Sequence, residues 1–579
     1  LDRNTAFAFA LSMLVFATYT MYQGERRAEQ ALALEEQNRI EASATANREA
    51  NGEIESSVDE WGNAPAAETA SPFAGADAAP SNPTPTPARR PARNIAVREL
   101  TLQNAHVVAK ITNEPGLIAS WKLREFNERL PDGDVQIELV NEDTPIFATD
   151  VGGVAGASFL KQRFEVVSSD ARQVVQRAAN NGGVLTRTIR LDPDGYGFDL
   201  DLVFESRRTD PVDASFAVRI PARVSERPDF RETSLLAYRE SEGVARELVN
   251  GVGQAGFFSF GSPASPRQEI EGRQKWAGFD AQFFTGVVID PDDTGRLDVD
   301  FVAEEVGERA RVDARLPGIS VGSGGTARAS LRGFIGPKTS DALAGANASL
   351  EASVDRGWSW LEPLTRFFEV ALDWLYTIIP NYGWAIIVLT IMVRIVTAPL
   401  MVRQMRSAER MREVQPKIKA LQERYADDRQ KQSEEMMKLY REESINPLGG
   451  CFPLLLQMPV LIGLFYALRT SIGLRHAPWI LWVDDLSQPA TLFTVPGLDF
   501  PIRILPLIMG ASMFVQQKMM PQTGMDPVQA RMMLIMMPGM MLLISYTFPS
   551  GLVLYWTVSN LLGIAHQYWV RNHLQPKQG

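Results

Sequence analysis

The sequence predicts a polytopic α-helical membrane protein that carries a large external domain of antiparallel β-sheet. Three observations predict it. Long apolar runs crowd the last third of the 579 residues, although the mean hydropathy of the chain is only −0.11. The middle of the chain alternates apolar and polar residues in short segments, the period of half-buried strands. One apolar run, Tyr382 to Met401, contains Arg394 with no Asp or Glu beside it. A guanidinium at that depth costs at least about 2.5–3.5 kcal/mol on insertion scales, so it is expected to face protein or a wet cavity. Snorkelling is the alternative, since Arg403 follows nine residues later.

A chain of this length exceeds one hydrophobic core, so two or more folding units are expected. The net charge of −11 argues against a broad nucleic-acid surface, and no sequence-specific nucleic-acid partner is expected. Cys451 is the single cysteine, which excludes an intrachain disulfide. His106, His476, His566 and His573 have no second ligand at a recognised metal spacing, so neither a metal site nor a cofactor is expected.

Thr5 to Tyr22 is an apolar run of about one membrane thickness. No small-residue cleavage pattern follows, and residues 1–23 read as a retained signal anchor. The chain opens on Leu1 rather than Met, so its native start is expected upstream. Residues 24–93 continue as a polar helical extension, then an Ala-, Pro-, Ser- and Thr-rich stretch ending in Pro80 to Pro91. That composition cannot bury a core and suits an extended, mobile tether. Residues 94–340 hold the alternating segments Val135–Val140, Val184–Leu191, Phe198–Phe204 and Phe216–Ile220. Turn chemistry at Pro131-Asp132-Gly133, Asn181-Gly182-Gly183 and Asp192-Pro193-Asp194-Gly195 punctuates them, which predicts an antiparallel β-sandwich.

Residues 354–377 are amphipathic. Trp358, Leu361, Leu364, Phe368, Leu372 and Leu375 recur at helical spacing with charges between them, as in a helix lying on a membrane. A helix packed under the β-domain gives the same pattern. Spans are expected at 380–402, 447–472, 502–520, 532–548 and 552–570, the last two joined by a tight turn at Pro549-Ser550-Gly551. With the first anchor these make six.

The connection 403–446 holds eleven Lys or Arg residues between Arg403 and Arg441 and is placed in the cytoplasm. The loop 473–501 holds only Arg475 and is placed outside. Alternation puts the β-domain outside and both termini inside, with 571–579 as a cytoplasmic tail. Within the basic connection, Val414, Ile418, Leu421 and Tyr425 form one apolar stripe; Met436, Met437, Leu439 and Tyr440 form another. A break at Ala426-Asp427-Asp428 makes two antiparallel helices of them. Pro416 is expected to end the helix leaving the membrane or to open the hairpin helix at its first position. A solvated charged hairpin explains this pattern; the functional reading is a cytoplasmic partner contact through Arg403, Arg406, Arg410, Arg412, Lys417, Lys419 and Arg424.

Asn446 to Arg469 (NPLGGCFPLLLQMPVLIGLFYALR), Ala477 to Ser487 and Phe548 to Asn560 (FPSGLVLYWTVSN) resemble the YidC membrane-protein insertases. That family includes mitochondrial and thylakoid insertases. Thr390-x-x-x-Arg394 and Met513 to Pro521 match as well. The likeness is dense from Trp358 to Val570. More weakly, Lys275-Trp276-Ala277-Gly278 and Phe334-Ile335-Gly336-Pro337-Lys338 resemble the periplasmic domain of Gram-negative members.

The resemblance implies six spans in the inner membrane and a periplasmic β-supersandwich. It also implies a five-helix insertase core whose groove opens to cytoplasm and lipid but is closed to the outside. No chemical step is implied, hence no enzyme and no cofactor. Arg394 would lie in the groove with Thr390 one helical turn before it. Tyr555 and Trp556 would line the client's path, with Gln457 and Gln516 as polar neighbours. The implied partners are nascent membrane proteins, the ribosome, the signal-recognition-particle pathway, the Sec translocon and the phospholipid bilayer. Only Arg571, His573 and Lys577 follow the last span as basic residues, where many relatives have a longer basic tail. A ribosome contact would then fall mainly on the hairpin.

Other classes fare worse. A secondary transporter would show intramembrane carboxylates and an inverted repeat. The five C-terminal spans have no Asp or Glu and no obvious halves. An intramembrane protease would draw on Ser545, Ser550 or Ser559 with His566, although Ser550 is more simply a turn residue. A membrane protein with an external sugar-binding sandwich lacks an aromatic-plus-acid site. The eleven methionines between Met509 and Met541 suit a client-accommodating surface or lipid-facing packing, with the second favoured. The β-domain is expected to be dispensable for insertion.

Overall fold

The computed structural model describes residues 95–128, 135–141, 145–225, 227–230, 232–253, 265–425, 428–443, 452–496, 500–519 and 527–573. The expected first anchor, the tether, the 131–133 turn, the stretch 444–451 with Cys451, Met520, Met525 and the end of the tail lie outside them.

The alternating segments are strands: Gln136–Val140, Gly183–Leu191, Gly197–Ser206 and Val212–Arg223. In the third of these Phe198, Leu200, Leu202 and Phe204 are buried while Asp199, Asp201 and Val203 are half-buried, the period of two that the sequence carries. Every strand pairing among the described residues is antiparallel. Nine strands form one sheet, from Gly243–Leu248 at one edge to Glu165–Ser169 at the other. A six-stranded sheet is built on Val212–Arg223, and a four-stranded sheet opens the domain at Glu99. Phe198 and Phe204 of the first, Phe216 and Val312 of the second, and Trp121 and Ile137 of the third share one buried core.

A second, smaller core explains the two weaker motifs. Trp276 and Phe334 pack with Leu236, Val287 and Ile289 against Leu343 of helix α1 (Ser340–Ala346) and against Leu350. The Trp276 indole donates to Ser349 Oγ at 3.1 Å. Gly278 must be glycine, because a Cβ there would lie 2.0 Å from the Gly286 carbonyl oxygen. Buried Lys338 donates to Asp280 Oδ1 at 3.0 Å, and Arg246 pairs with the other carboxylate oxygen while donating to the Ser353 carbonyl at 2.6 Å. These contacts buckle the chain leaving the sheet onto the sheet itself.

Seven helices follow: α2 (Glu362–Ile378), α3 (Tyr382–Arg424), α4 (Arg429–Glu442), α5 (Phe452–Thr470), α6 (Ile504–Met519), α7 (Pro527–Ser545) and α8 (Ser550–His573). Trp358 lies outside the amphipathic helix. Gly357 at φ +84° turns the chain and Pro363 sits in the first turn of α2, so the helix starts later than its apolar pattern. Leu361, Phe368, Leu372 and Leu375 are buried within the protein, the face that the sequence reading laid on a membrane. The outer face is apolar too: Phe367, Val370, Trp374 and Ile378 are 56–64% exposed. Glu369 of α2 accepts from Arg356 Nε at 2.9 Å and from Thr470 Oγ1 at 2.9 Å, tying α2 to the end of α5.

The expectation for Pro416 is overturned: α3 runs unbroken through both Pro399 and Pro416 for 43 residues. An interior proline costs about 3 kcal/mol. The stripe on either side of Pro416 is buried instead of ending there, Val414 and Ile418 packing on Met436, Leu439 and Tyr440 of α4. Met437 does not join that stripe and is 52% exposed. Helix α3 ends at Arg424 and α4 starts at Arg429, on either side of the expected break, of which Ala426 and Asp427 lie outside the described residues; the Asp428 carboxylate caps α4 by accepting from Lys431 N at 3.0 Å.

Five spans are expected after residue 380, and one stretch is clearly long and apolar enough to cross a membrane among the described residues, Tyr382–Pro399. Leu534–Ser545 is a shorter apolar stretch. Helix α6 has 16 residues, about 24 Å at 1.5 Å per residue. Helix α8 carries Asn560 near its middle and His566 and Gln567 in its second half.

Candidate functional site

Helices α3, α6 and α8 converge on Arg394. It lies twelve positions after Tyr382, about 18 Å along the helix, inside the stretch Tyr382–Pro399 that is long and apolar enough to cross a membrane. The guanidinium is half-buried and turned toward α8, not along its own helix. Nε donates to Ser559 Oγ at 3.1 Å; Nη2 donates to Ser559 Oγ at 2.6 Å and to the Ser559 carbonyl at 2.7 Å. No carboxylate among the described residues pairs with it. On the opposite side of α3, Ile395 and Val396 are 67% and 78% exposed.

The local sequence of α8 provides this seat. Tyr555, Ser559 and Gly563 recur every four residues and so share a face. Ser559 is buried, and a Cβ on Gly563 would lie 2.6 Å from Gln516 Nε2 and 3.7 Å from Arg394 Nη2. The small residues let long polar side chains of two other helices approach the α8 backbone. A second polar contact extends the seam, Asn560 Nδ2 donating to Ser512 Oγ at 3.2 Å.

The structure therefore gathers Arg394 and Gln516 on one seam, with Tyr555 one turn before Ser559 and close enough to Arg394 to interact with it electrostatically. Thr390 lies one turn before Arg394, buried, its hydroxyl donating to the Ile386 carbonyl at 2.6 Å. Trp556 turns elsewhere: it stacks on Phe548 at 5.8 Å, and Phe548 meets Phe465 of α5 at 6.4 Å. Gln457, half-buried on α5, makes no hydrogen bond to this group. Ser559, Gly563, Asn560 and Ser512 have no place in the site read from the sequence. The four-residue spacing from Tyr555 through Gly563 was the available signal. The hydrolase alternative finds no support: Ser545 and Ser550 donate to the Leu542 and Asp485 carbonyls, and the Ser559 hydroxyl accepts from Arg394.

The outer end of the seam is capped. Trp479 lies over Gly383, where a Cβ would come within 2.1 Å of it, and Asn381 Nδ2 donates to the Pro478 carbonyl at 3.1 Å. The Asp485 carboxylate holds the loop's shape by accepting from His476 N, Ser487 N and Ser487 Oγ. Ser550 Oγ and Gly551 N then donate to the Asp485 and Leu486 carbonyls at 2.7 and 2.8 Å. Leu552, Val553, Leu554 and Tyr555 are all buried beneath this loop.

Elsewhere Leu507, Ile508, Ile535, Met536, Leu543 and Leu561 expose apolar side chains. Water penalises such a surface and lipid covers it without cost. The methionines divide, Met509 and Met541 being buried and Met532, Met536 and Met540 exposed. At the inner end Arg410, Lys417, Lys419 and Arg424 are exposed along α3, and Lys417 pairs with Glu443. The side chains of Arg403, Arg406 and Arg412 lie outside the described residues.

Two family descriptions match this chain: "60Kd inner membrane protein" over residues 374–577 and "YidC periplasmic domain" over residues 99–369. The membrane protein insertase YidC of Vibrio atlanticus (strain LGP32) is 30% identical over 500 residues, covering 84% of this chain and 89% of the relative. That of Pelobacter propionicus is 31% identical over 497 residues, 82% of this chain and 86% of the relative. A solved structure described as an active YidC insertase with the first transmembrane domain resolved covers 81% of this chain and 92% of that chain, at 18% identity and a TM-score of 0.34.

Proposed function

The chain belongs to the YidC membrane protein insertase family, and on that premise we propose that α3, α5, α6, α7 and α8 bound a groove, open to cytoplasm and lipid, through which client segments pass into the bilayer. As a family member it is an inner-membrane protein with a periplasmic domain, performs no chemical step and takes nascent membrane proteins as substrates.

The observation that carries the groove reading is the state of Arg394. It is a half-buried cation near mid-membrane, held among the described residues by neutral acceptors, with no acceptor for Nη1 among those residues. A client's acidic or polar flank supplies what the site lacks. The client's apolar helix then moves laterally into lipid, driven by about 0.3–0.6 kcal/mol per Leu, Ile, Phe or Val. Capture has to stay weak, because release into the bilayer is the product. The loop over Gly383 and Ser550 supports closure toward the outside. The basic inner half of α3 supports a cytoplasmic hairpin, and with it six spans and both termini inside. Exposed Arg410, Lys417, Lys419 and Arg424 offer the ribosome a basic surface, beside which the signal-recognition-particle pathway and the Sec translocon deliver or share clients.

The test reconstitutes the full chain into liposomes of inner-membrane lipids and presents a single-span client with one acidic flanking residue. Protease protection above protein-free liposomes is expected. Arg394→Ala should lower it roughly tenfold, the equivalent of about 1.4 kcal/mol. Insertion no greater than in protein-free liposomes overturns the proposal.

A further inference from the structure

We infer that Ser559 is a positioning residue that fixes the guanidinium plane of Arg394 and so sets which of its edges a client can use. This deepens the groove reading and rests on it.

An arginine presents its donors in a rigid planar fork. Ser559 takes one whole side of that fork, its hydroxyl accepting from Nε and Nη2 and its carbonyl from Nη2. Holding that edge at two acceptors on one residue fixes the plane and leaves Nη1 as the end without an acceptor among the described residues. Residue 563, one turn later, is glycine. A side chain there would come within 3.7 Å of Nη2 and would drive into Gln516 at 2.6 Å. The seat thus rests on the hydroxyl and carbonyl of Ser559, while glycine one turn later leaves the Gln516 amide its place beside it.

The chemical consequence is selectivity with weak grip. A carboxylate binds arginine most tightly by two parallel bonds. With the Nε–Nη2 side occupied, an incoming carboxylate is met end-on by Nη1. That arrangement recognises negative charge while preserving fast release. Without the Ser559 hydroxyl the guanidinium gains rotational freedom and can offer either edge or withdraw toward the headgroups.

The test uses the full chain in liposomes and two single-span clients that differ only in one flanking Asp or Asn. The readout is the ratio of their insertion rates. Ser559→Ala and Ser559→Cys each leave volume near that of serine and remove a strong acceptor; each should reduce the Asp-to-Asn ratio about fivefold, the scale of losing one ordinary hydrogen bond. Ser559→Thr keeps the hydroxyl and should hold the ratio within about twofold of the parent. If Ala and Cys slow both clients equally, Ser559 only packs helices and the inference fails. An Arg394→Ala arm separates the two claims. A ratio unmoved by Arg394→Ala sinks the groove reading itself, whereas a ratio moved by Arg394→Ala but not by Ser559→Ala or Cys sinks only the positioning role.

Discussion

Arg475, in the turn after α5, donates from Nε and Nη2 to Asp229 Oδ2 at 3.0 and 2.9 Å, and through that pair the helical region is fastened to the β-domain. The same Nη2 donates to the Asn127 carbonyl at 2.7 Å, and the guanidinium lies 5.5 Å from the Phe284 ring centroid. Both side chains are nearly buried, 4% and 11% exposed. Six residues earlier Arg469 pairs with Glu232, and Gln282 donates to the Arg469 carbonyl at 3.3 Å. The loop that sequence patterning marks by its scarcity of basic residues thus spends its single arginine on the junction.

Asp229→Ala leaves the Arg475 charge buried without its carboxylate, which costs about 3–5 kcal/mol. Denaturation of the purified full chain should show a lower midpoint, and protease should cut the β-domain away sooner. Replacing both residues together with apolar ones should restore much of the loss. Equal midpoints for parent and single variant would contradict the pair's role.

Removing the whole β-domain should be milder for insertion than mispairing the junction. With residues 95–353 absent, Arg469 and Arg475 are hydrated instead of stranded. A chain joining the first anchor to Val354–Gly579 is expected to keep insertion of a short single-span client. Total loss in a stably folded variant would show that the β-domain takes part.

His106 bridges two sheets, Nδ1 lying 2.9 Å from Glu125 and Nε2 2.8 Å from Asp194, with the Tyr196 ring 5.2 Å away. Burial pulls its pKa down, but the hydrogen bonds and charges of Asp194 and Glu125 outweigh that and raise it above 6.5. A base with a raised folded pKa stabilises fully below its unfolded value and loses that contribution as pH rises through the folded one. His106→Gln should therefore lower Tm most below pH 6.5, with the gap closing as pH rises above it. The gap is no more than about 1 kcal/mol because both carboxylates are largely exposed. A gap that widens with pH would contradict the sign.

Gly383→Ala should loosen the outer cap. A methyl 2.1 Å from Trp479 must displace that ring or the start of α3, an overpacking cost of about 1–3 kcal/mol. In a Cys451→Ala background with cysteine at Gln516, an impermeant thiol reagent added outside should label faster once Gly383 is replaced. Unchanged labelling together with unchanged stability would show that the loop does not seal the seam.

Much of this was legible from residues alone where a local rule and the tertiary structure agree. Phe198, Leu200 and Leu202 alternate with Asp199 and Asp201, and no pairing partner was needed to read a strand there. Arg394 was legible because its burial is costly wherever it lies. Pro416 misled because local propensity reads it as an end, while the packing of Val414 and Ile418 on α4 decides otherwise. Ser559 was illegible as a partner of Arg394 because the contact spans 165 residues and serine in an apolar helix carries no cost that demands an explanation. Tyr555 and Trp556 are adjacent in sequence yet meet different partners, Arg394 and Phe548, a rotation of about 100° per residue that the motif alone does not resolve.

The central claim is that clients pass along the seam of Arg394, and site-specific photo-crosslinking tests it most directly. A probe at Gln516 or Thr390, with Arg394 intact, faces a stalled ribosome bearing a short single-span client; control probes sit at Val396 and Leu543 on the outer apolar surface. Early adducts from the first pair, with the outer positions reacting only later or not at all, are the predicted result. Full client insertion with no adduct from either seam position would contradict the account and leave Arg394 a structural residue.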